Sequence, residues 1–218
     1  MTNKKNFWNN KIIEWENDRY YDLNKINAQK LDSVKCRLDV CEKILSRIVK
    51  NKNIVEIGCG SGLLAKKLIE KGAKSYAGYD FAKNAIIRAK KNNKNNSKIK
   101  FYTREVLQIK KIKKCDIIFS LGLIDWMNEK ELRHLSKLSK NKYWLHSFSE
   151  KRLSIFQFIH KIYVTLYYGL TNGMYIPRYD NKSKIKNLFG NNKIKFIENK
   201  KLSFGVIAYC FNYVKKRG

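Results

Sequence analysis

Residues 55–63 read Val55-Glu56-Ile57-Gly58-Cys59-Gly60-Ser61-Gly62-Leu63, a glycine at every second position from Gly58 with a carboxylate just ahead of them. Glycine takes left-handed backbone conformations without a Cβ penalty, so the run can turn tightly and let a ligand lie against bare amides. It follows a short apolar run at 54–57 and precedes a helical pattern at 63–71, the strand-to-helix setting in which nucleoside ligands are held. A dinucleotide fingerprint, GxGxxG, would place its third glycine where Leu63 stands. The spacing therefore favours another nucleoside ligand. Asp80 adds a second signal, because it ends a strand-like stretch (76–79) about 20 residues after the turn, where a carboxylate can accept from both ribose hydroxyls. It could also cap the helical pattern that begins at Ala82.

The elements that must position these residues follow from periodicity. Apolar residues at Leu31, Val34, Leu38, Cys41, Leu45 and Ile48 have the spacing of an amphipathic helix. Strand patterns at 54–57, 76–79, 98–102, 116–120 and 143–148 then alternate with helical patterns at 63–71, 82–90 and 129–138. Residues 90–98 (KKNNKNNSK) read as a solvated loop. Alternation of this kind predicts a parallel, doubly wound α/β sheet with helices on both faces. Two last strand patterns, 193–198 and 202–211, leave no room for a helix between them and predict an antiparallel C-terminal hairpin at the sheet edge, which makes seven strands. A helical insertion follows the fifth strand. The chain is expected to form one domain over 1–218, with a helical lid at 1–50 and the insertion at 149–180.

In this order of motifs the sequence resembles the class I methyltransferases, whose ExGxGxG signature follows the first strand and lies against the methionine part of S-adenosylmethionine. The resemblance implies that S-adenosylmethionine is the cofactor and S-adenosylhomocysteine the product. It implies a loop of Gly58, Cys59, Gly60 and Gly62 around the cofactor, with Glu56 acting through water or orienting the loop. It puts Asp80 and Phe81 at the ribose, Glu105 and Val106 at the adenine, and Leu121 in the segment 120–127 beside the reactive end. Glu105 departs from the family pattern, where Asp is commoner.

Methyl transfer from a sulfonium needs alignment above all, and a base only where the nucleophile arrives protonated. Candidate catalytic groups at the carboxyl edge of the sheet are His146 in the fifth strand and Asp125 after the fourth. Tyr20, which with Tyr21 follows the aromatic segment Phe7, Trp8 and Trp15, is the candidate from the lid. Residues 152–175 carry Ile155, Phe156, Ile159, Ile162, Tyr163, Leu166, Tyr167 and Leu170 at helical spacing, with Lys151, Arg152 and Lys161 nearby. Such a helix can pack as a cap, line an apolar acceptor pocket, or rest at a membrane surface beside a lipid-linked acceptor.

Composition sets the remaining bounds. Lys and Arg outnumber Asp and Glu by 47 to 18, a formal charge of +29, which suits a polyanionic partner; but the cations are dispersed, as a compositional bias would leave them. The Pro-Pro-aromatic motif with which base-amine methyltransferases grip a flipped base is missing after the fourth strand, so nucleic acid is not the favoured acceptor. The five cysteines form no CxxC pair, and neither a disulfide framework nor a metal site is expected. Residues 1–10 lack the apolar stretch of a secretory signal, and a cytoplasmic protein is expected, with room for peripheral membrane contact. The leading expectation is methyl transfer to an oxygen or nitrogen of a small-molecule or lipid/glycan-precursor acceptor. The alternatives are an RNA methyltransferase and a non-catalytic scaffold of the same fold.

Overall fold

The computed structural model describes residues 3–16, 33–166, 177–190 and 193–211. Their elements run α1 (Asn3–Glu16), α2 (Ser33–Leu45), β1 (Asn53–Ile57), α3 (Ala65–Glu70), β2 (Ser75–Asp80), α4 (Lys83–Asn92), β3 (Ile99–Thr103), β4 (Ile117–Ser120), α5 (Glu129–Ser139), β5 (Tyr143–Ser149), α6 (Ile155–Val164), α7 (Lys182–Phe189), β6 (Lys195–Glu198) and β7 (Gly205–Cys210). The strands form one seven-stranded sheet in the order β3-β2-β1-β4-β5-β7-β6. β1 to β5 are parallel, whereas β7 runs antiparallel to both β5 and β6.

The expected hairpin is present, but only half of it lies at the edge. β7 slots between β5 and β6, leaving β6 outermost. Burial accounts for this order: Val206, Ile207 and Ala208 are fully buried, while β6 exposes Lys195 and Glu198 to water. An edge strand marked by charges resists pairing with other chains.

Both faces of the sheet are covered. Ile54, Tyr76, Ile117 and Phe119 pack with Cys41, Leu45, Leu64, Leu68 and Ile86 of the helical layer α2–α4. On the other face Val55, Ile57, Ile118, Trp144 and Phe148 meet Leu132, Leu135 and Ile185 of α5 and α7. β4 has no exposed residue, as a central strand covered twice requires. Truncating a side chain such as Phe119 to alanine would cost about 3–5 kcal/mol.

Local signals set the helix ends. Asn128 caps α5 by accepting from the Glu131 amide at 2.9 Å, and the Glu131 carboxylate returns the bond to the Asn128 amide at 2.8 Å. Within the insertion, α6 starts at the Ser154 cap, whose hydroxyl oxygen accepts from the Gln157 amide at 3.1 Å, and runs to Val164; residues 167–175 of the expected helical stretch lie outside the described residues. The order of β1 and β4 matters most for function. At β1 the chain reverses the direction in which it lays down strands, and the connections from the carboxyl ends of β1 and β4 lead to helices on opposite faces, which leaves a crevice between them.

Candidate functional site

The crevice is a cavity of about 700 Å³. One end is built by the glycine turn. Gly58, Gly60 and Gly62 all have positive φ (70°, 52° and 70°), and the Gly58 and Cys59 amides donate to the Tyr79 carbonyl at 2.7 and 3.1 Å, which fastens the turn to the end of β2. Asp80 continues from that strand end. Its carboxylate accepts from the Gly60 amide at 2.9 Å and the Ala82 amide at 2.8 Å, one bond to each oxygen. A carboxylate has about four acceptor directions, more than these amides use, so it can still accept from a ligand. Burial pushes the Asp80 pKa up, against the pull of the Ala82, Gly60 and Phe81 amides. Glu56 is buried below the turn and accepts from the Tyr76 hydroxyl, which holds the base of the loop.

Glu56, Gly58, Cys59, Gly60, Asp80, Phe81, Glu105, Val106 and Leu121 all line the cavity. Gly62 does not. A Cβ on Gly62 would stand 2.5 Å from the Phe101 ring, so this glycine is needed for packing of the turn on the sheet, not for ligand approach. Glu105 precedes the 3₁₀ turn Val106–Gln108 and is ion-paired with Lys5 of α1. That helix forms a lid: Trp8 packs edge-on against Trp126, ring centroids 4.9 Å apart, and the Asn84 amide side chain donates to the Asn9 carbonyl at 3.1 Å. Lys5, Trp8 and Ile12 of the lid face the cavity.

The other end carries the polar groups suited to an acceptor. Asp125 lies here, buried, accepting from the Ser149 amide at 2.6 Å and the Ser149 hydroxyl at 3.0 Å. Arg37 of α2 approaches Asp125 at 3.5 Å, and among the described residues its buried Nε has no hydrogen-bond partner. Burial raises the Asp125 pKa, while Arg37 and the Ser149 bonds oppose the shift. Beside them, His160 Nδ1 lies 2.6 Å from the Tyr179 hydroxyl, and Tyr163 and Val164 complete this wall of α6. Burial lowers the His160 pKa and pushes that of Tyr179 up to about 12.

His146 is placed elsewhere, contrary to its expected catalytic position. It is fully buried, stacked on Trp144, and absent from the cavity wall. The Ser139 hydroxyl donates to the Leu135 carbonyl at 2.8 Å, so toward His146 Nε2, 2.9 Å away, its oxygen must accept. Nδ1 is then left to accept from the Ser120 hydroxyl at 2.9 Å. Both ring nitrogens are satisfied in the neutral form, and burial lowers the pKa to about 3. Tyr20 and Tyr21 lie outside the described residues. Sequence reasoning passed over Arg37, Ser149, His160 and Tyr179. The one available signal was for His160, which lies three residues after Gln157 and four before Val164, on the inward stripe of α6.

Residues 54–141, from β1 past α5, match the model of a methyltransferase domain. That match takes in about two fifths of the chain, the part that builds the glycine turn and Asp80. Over 138 residues it is 31% identical to the ubiquinone biosynthesis O-methyltransferase of Pelagibacter ubique, covering 60% of this chain and 57% of that protein. A shorter match, 46% over 59 residues, is to the ribosomal RNA small subunit methyltransferase A of Mesomycoplasma hyopneumoniae, covering 27% of this chain and 22% of that one. The chain thus spans little more than half, or less, of the curated relatives it matches. Among solved structures, magnesium protoporphyrin IX methyltransferase from Synechocystis PCC 6803 with bound SAH shares the fold at a TM-score of 0.69 and 17% identity, over 94% of this chain and 97% of that one.

Proposed function

We propose that the protein binds S-adenosylmethionine at the Gly58–Asp80 end of the cavity and transfers its methyl group to an oxygen or nitrogen of a small-molecule or lipid-like acceptor at the Asp125–His160 end. The observation that carries the reading is the Asp80 carboxylate, fixed by the Gly60 and Ala82 amides at the cavity wall, where it can accept from a ribose. The residues present fit the cofactor. Bare backbone at Gly58 and Gly60 admits a close approach, Phe81 and Val106 offer apolar walls, and Glu105 can accept from an amino group. Bound there, the cofactor would supply a sulfonium-activated methyl group for in-line displacement.

The chain's own residues would bind, orient and deprotonate. Trp8 and Trp126 close the cavity over its apolar side and exclude water. Arg37 lines this end of the cavity as a cation beside the acceptor, and Asp125, held by Ser149, keeps that guanidinium in place. Partial burial lowers the His160 pKa, which favours the neutral ring. With Nδ1–H donated to the Tyr179 oxygen, Nε2 would take the proton from a hydroxyl or ammonium acceptor. His160 and Tyr179 are the pair we assign to this step.

RNA is the second reading, supported by the charge of +29 and by the match to an rRNA methyltransferase. Calorimetric titration with S-adenosylhomocysteine tests the cofactor site, with one-site saturable binding expected and its absence refuting the proposal. Binding to structured RNA at rising salt separates the acceptors. Tight binding with a steep log–log salt slope would favour RNA, and weak binding the small or lipid-like acceptor.

A further inference from the structure

All the apolar side chains of α6 except Val164 point away from the protein. Ile155, Phe156, Phe158, Ile159, Ile162 and Leu166 are each between 45% and 74% exposed, whereas the inward side of the helix holds the polar Gln157. Gln157 is anchored there: its carboxamide oxygen accepts from the Arg152 amide at 2.6 Å and its nitrogen donates to the Glu150 carbonyl at 2.7 Å. The helix is thus fixed with Gln157 and Val164 in and its other apolar residues out, the reverse balance of a helix that covers a core. Leu153, just before it, is fully exposed.

The sequence around α6 is as unusual as its orientation. From 153 to 177 the only charged residue is Lys161, in a chain that is 30% charged. Between Glu150 and Asp180 there are four cations, Lys151, Arg152, Lys161 and Arg178, and no acidic residue. Lys151 and Lys161 are exposed beside the apolar side chains. Among the described residues no helix is long and apolar enough to cross a membrane, and the exposed side chains of this short helix suit contact along a surface. An uncharged face bordered by lysines matches the headgroup boundary of an anionic bilayer, where apolar side chains enter and ammonium groups meet phosphates.

We infer that α6 docks the protein on an anionic lipid surface, and that this surface delivers a lipid-like acceptor to the cavity. The link is geometric: His160, Tyr163 and Val164, which line the acceptor end, belong to the same short helix as the exposed Phe156 and Ile159. An acceptor leaving the bilayer along α6 would pass directly to His160. The delivery rests on the methyl-transfer reading of the cavity; the docking itself does not.

Flotation of the full chain with phosphatidylglycerol–phosphatidylcholine vesicles, with phosphatidylcholine vesicles as control, tests the docking. The wild type should float with the anionic vesicles and poorly with the neutral ones. The double variant Phe156→Ser/Ile159→Ser should lose at least about tenfold in partitioning, as expected for two apolar side chains that leave a lipid contact. Its calorimetric affinity for S-adenosylhomocysteine should stay unchanged, which excludes misfolding. Failure of the wild type to float, or flotation of the variant at wild-type level, would overturn the docking. So would a wild-type dimer that the double variant splits, with no vesicle binding, because a second copy would then be the occupant. Flotation without cofactor binding would instead refute the methyl-transfer reading and leave the docking standing.

Discussion

His160 Nδ1 stands 2.6 Å from the Tyr179 hydroxyl, and that contact joins α6 to the segment by which the chain returns from the insertion. Both residues face the same cavity as Asp125. With the pair acting in proton removal, His160→Ala should lower kcat by about 10²–10⁴-fold while the affinity for S-adenosylhomocysteine stays the same. Tyr179→Phe should cost less, since Nε2 is untouched. The neutral imidazole is the active form and burial lowers its pKa, with the Asp125 charge partly opposing, so kcat should fall with pH only below the ordinary histidine range. A pH–rate profile that does not change in the His160→Ala variant would argue against the assignment.

Asp80 is expected to carry the cofactor's ribose. Asp80→Ala removes charge-assisted hydrogen bonds and should weaken S-adenosylhomocysteine binding by about 1.5–3 kcal/mol, read by calorimetry. Part of the loss would come from the loop, because Gly60 would also lose its acceptor. Asp80→Asn helps to separate the two, since its carboxamide oxygen can still accept from one of the amides.

Two glycines with nearly equal φ make a controlled comparison. Gly190 ends α7 at φ 60° with open space where a Cβ would stand, whereas Gly62, at φ 70°, would drive a Cβ to 2.5 Å from Phe101. Gly190→Ala should cost about 1–2 kcal/mol, the left-handed strain alone. Gly62→Ala should cost more, by a further 1–3 kcal/mol or so of overpacking. In a domain of this size each kcal/mol lowers Tm by about 2–4 °C. Adding Phe101→Leu to Gly62→Ala should recover part of the overpacking and none of the strain.

How far the sequence was legible depends on whether a function is written in local spacing. The glycine turn, Glu56 and Asp80 carry their meaning within one strand–turn–helix unit and the strand after it, so nine of the ten expected cofactor-site residues line the cavity. Gly62 has the spacing of its neighbours, but its contact is with Phe101, far away in the sequence and invisible to a local motif. The acceptor end is built from α2, β5, α6 and the segment around Tyr179, four parts of the chain with no shared pattern. In sequence Arg37 is one charge on a helix, and His160 is one polar residue in an apolar stretch. β7 shows the same limit: periodicity identifies the strand and its partner β6, but only burial on both faces tells that it lies inside the sheet.

His146 offers the sharpest separation of structure from chemistry. Its Nε2–H is held by Ser139 and its Nδ1 by Ser120, so the native ring is neutral with a pKa of about 3, while in the unfolded chain it titrates near 6.5. Between those values the unfolded state binds the extra proton, so the stability the ring contributes is complete above about pH 6.5 and is lost as pH falls toward 3. His146→Leu should therefore flatten the fall in Tm between neutral and mildly acidic pH. At neutral pH it should cost about 1–3 kcal/mol, because the Ser120 hydroxyl loses its buried partner. Binding of S-adenosylhomocysteine and the acid limb of the pH–rate profile should not move. A variant that stayed as stable as the wild type but lost its turnover would return His146 to the catalytic role its strand position suggested.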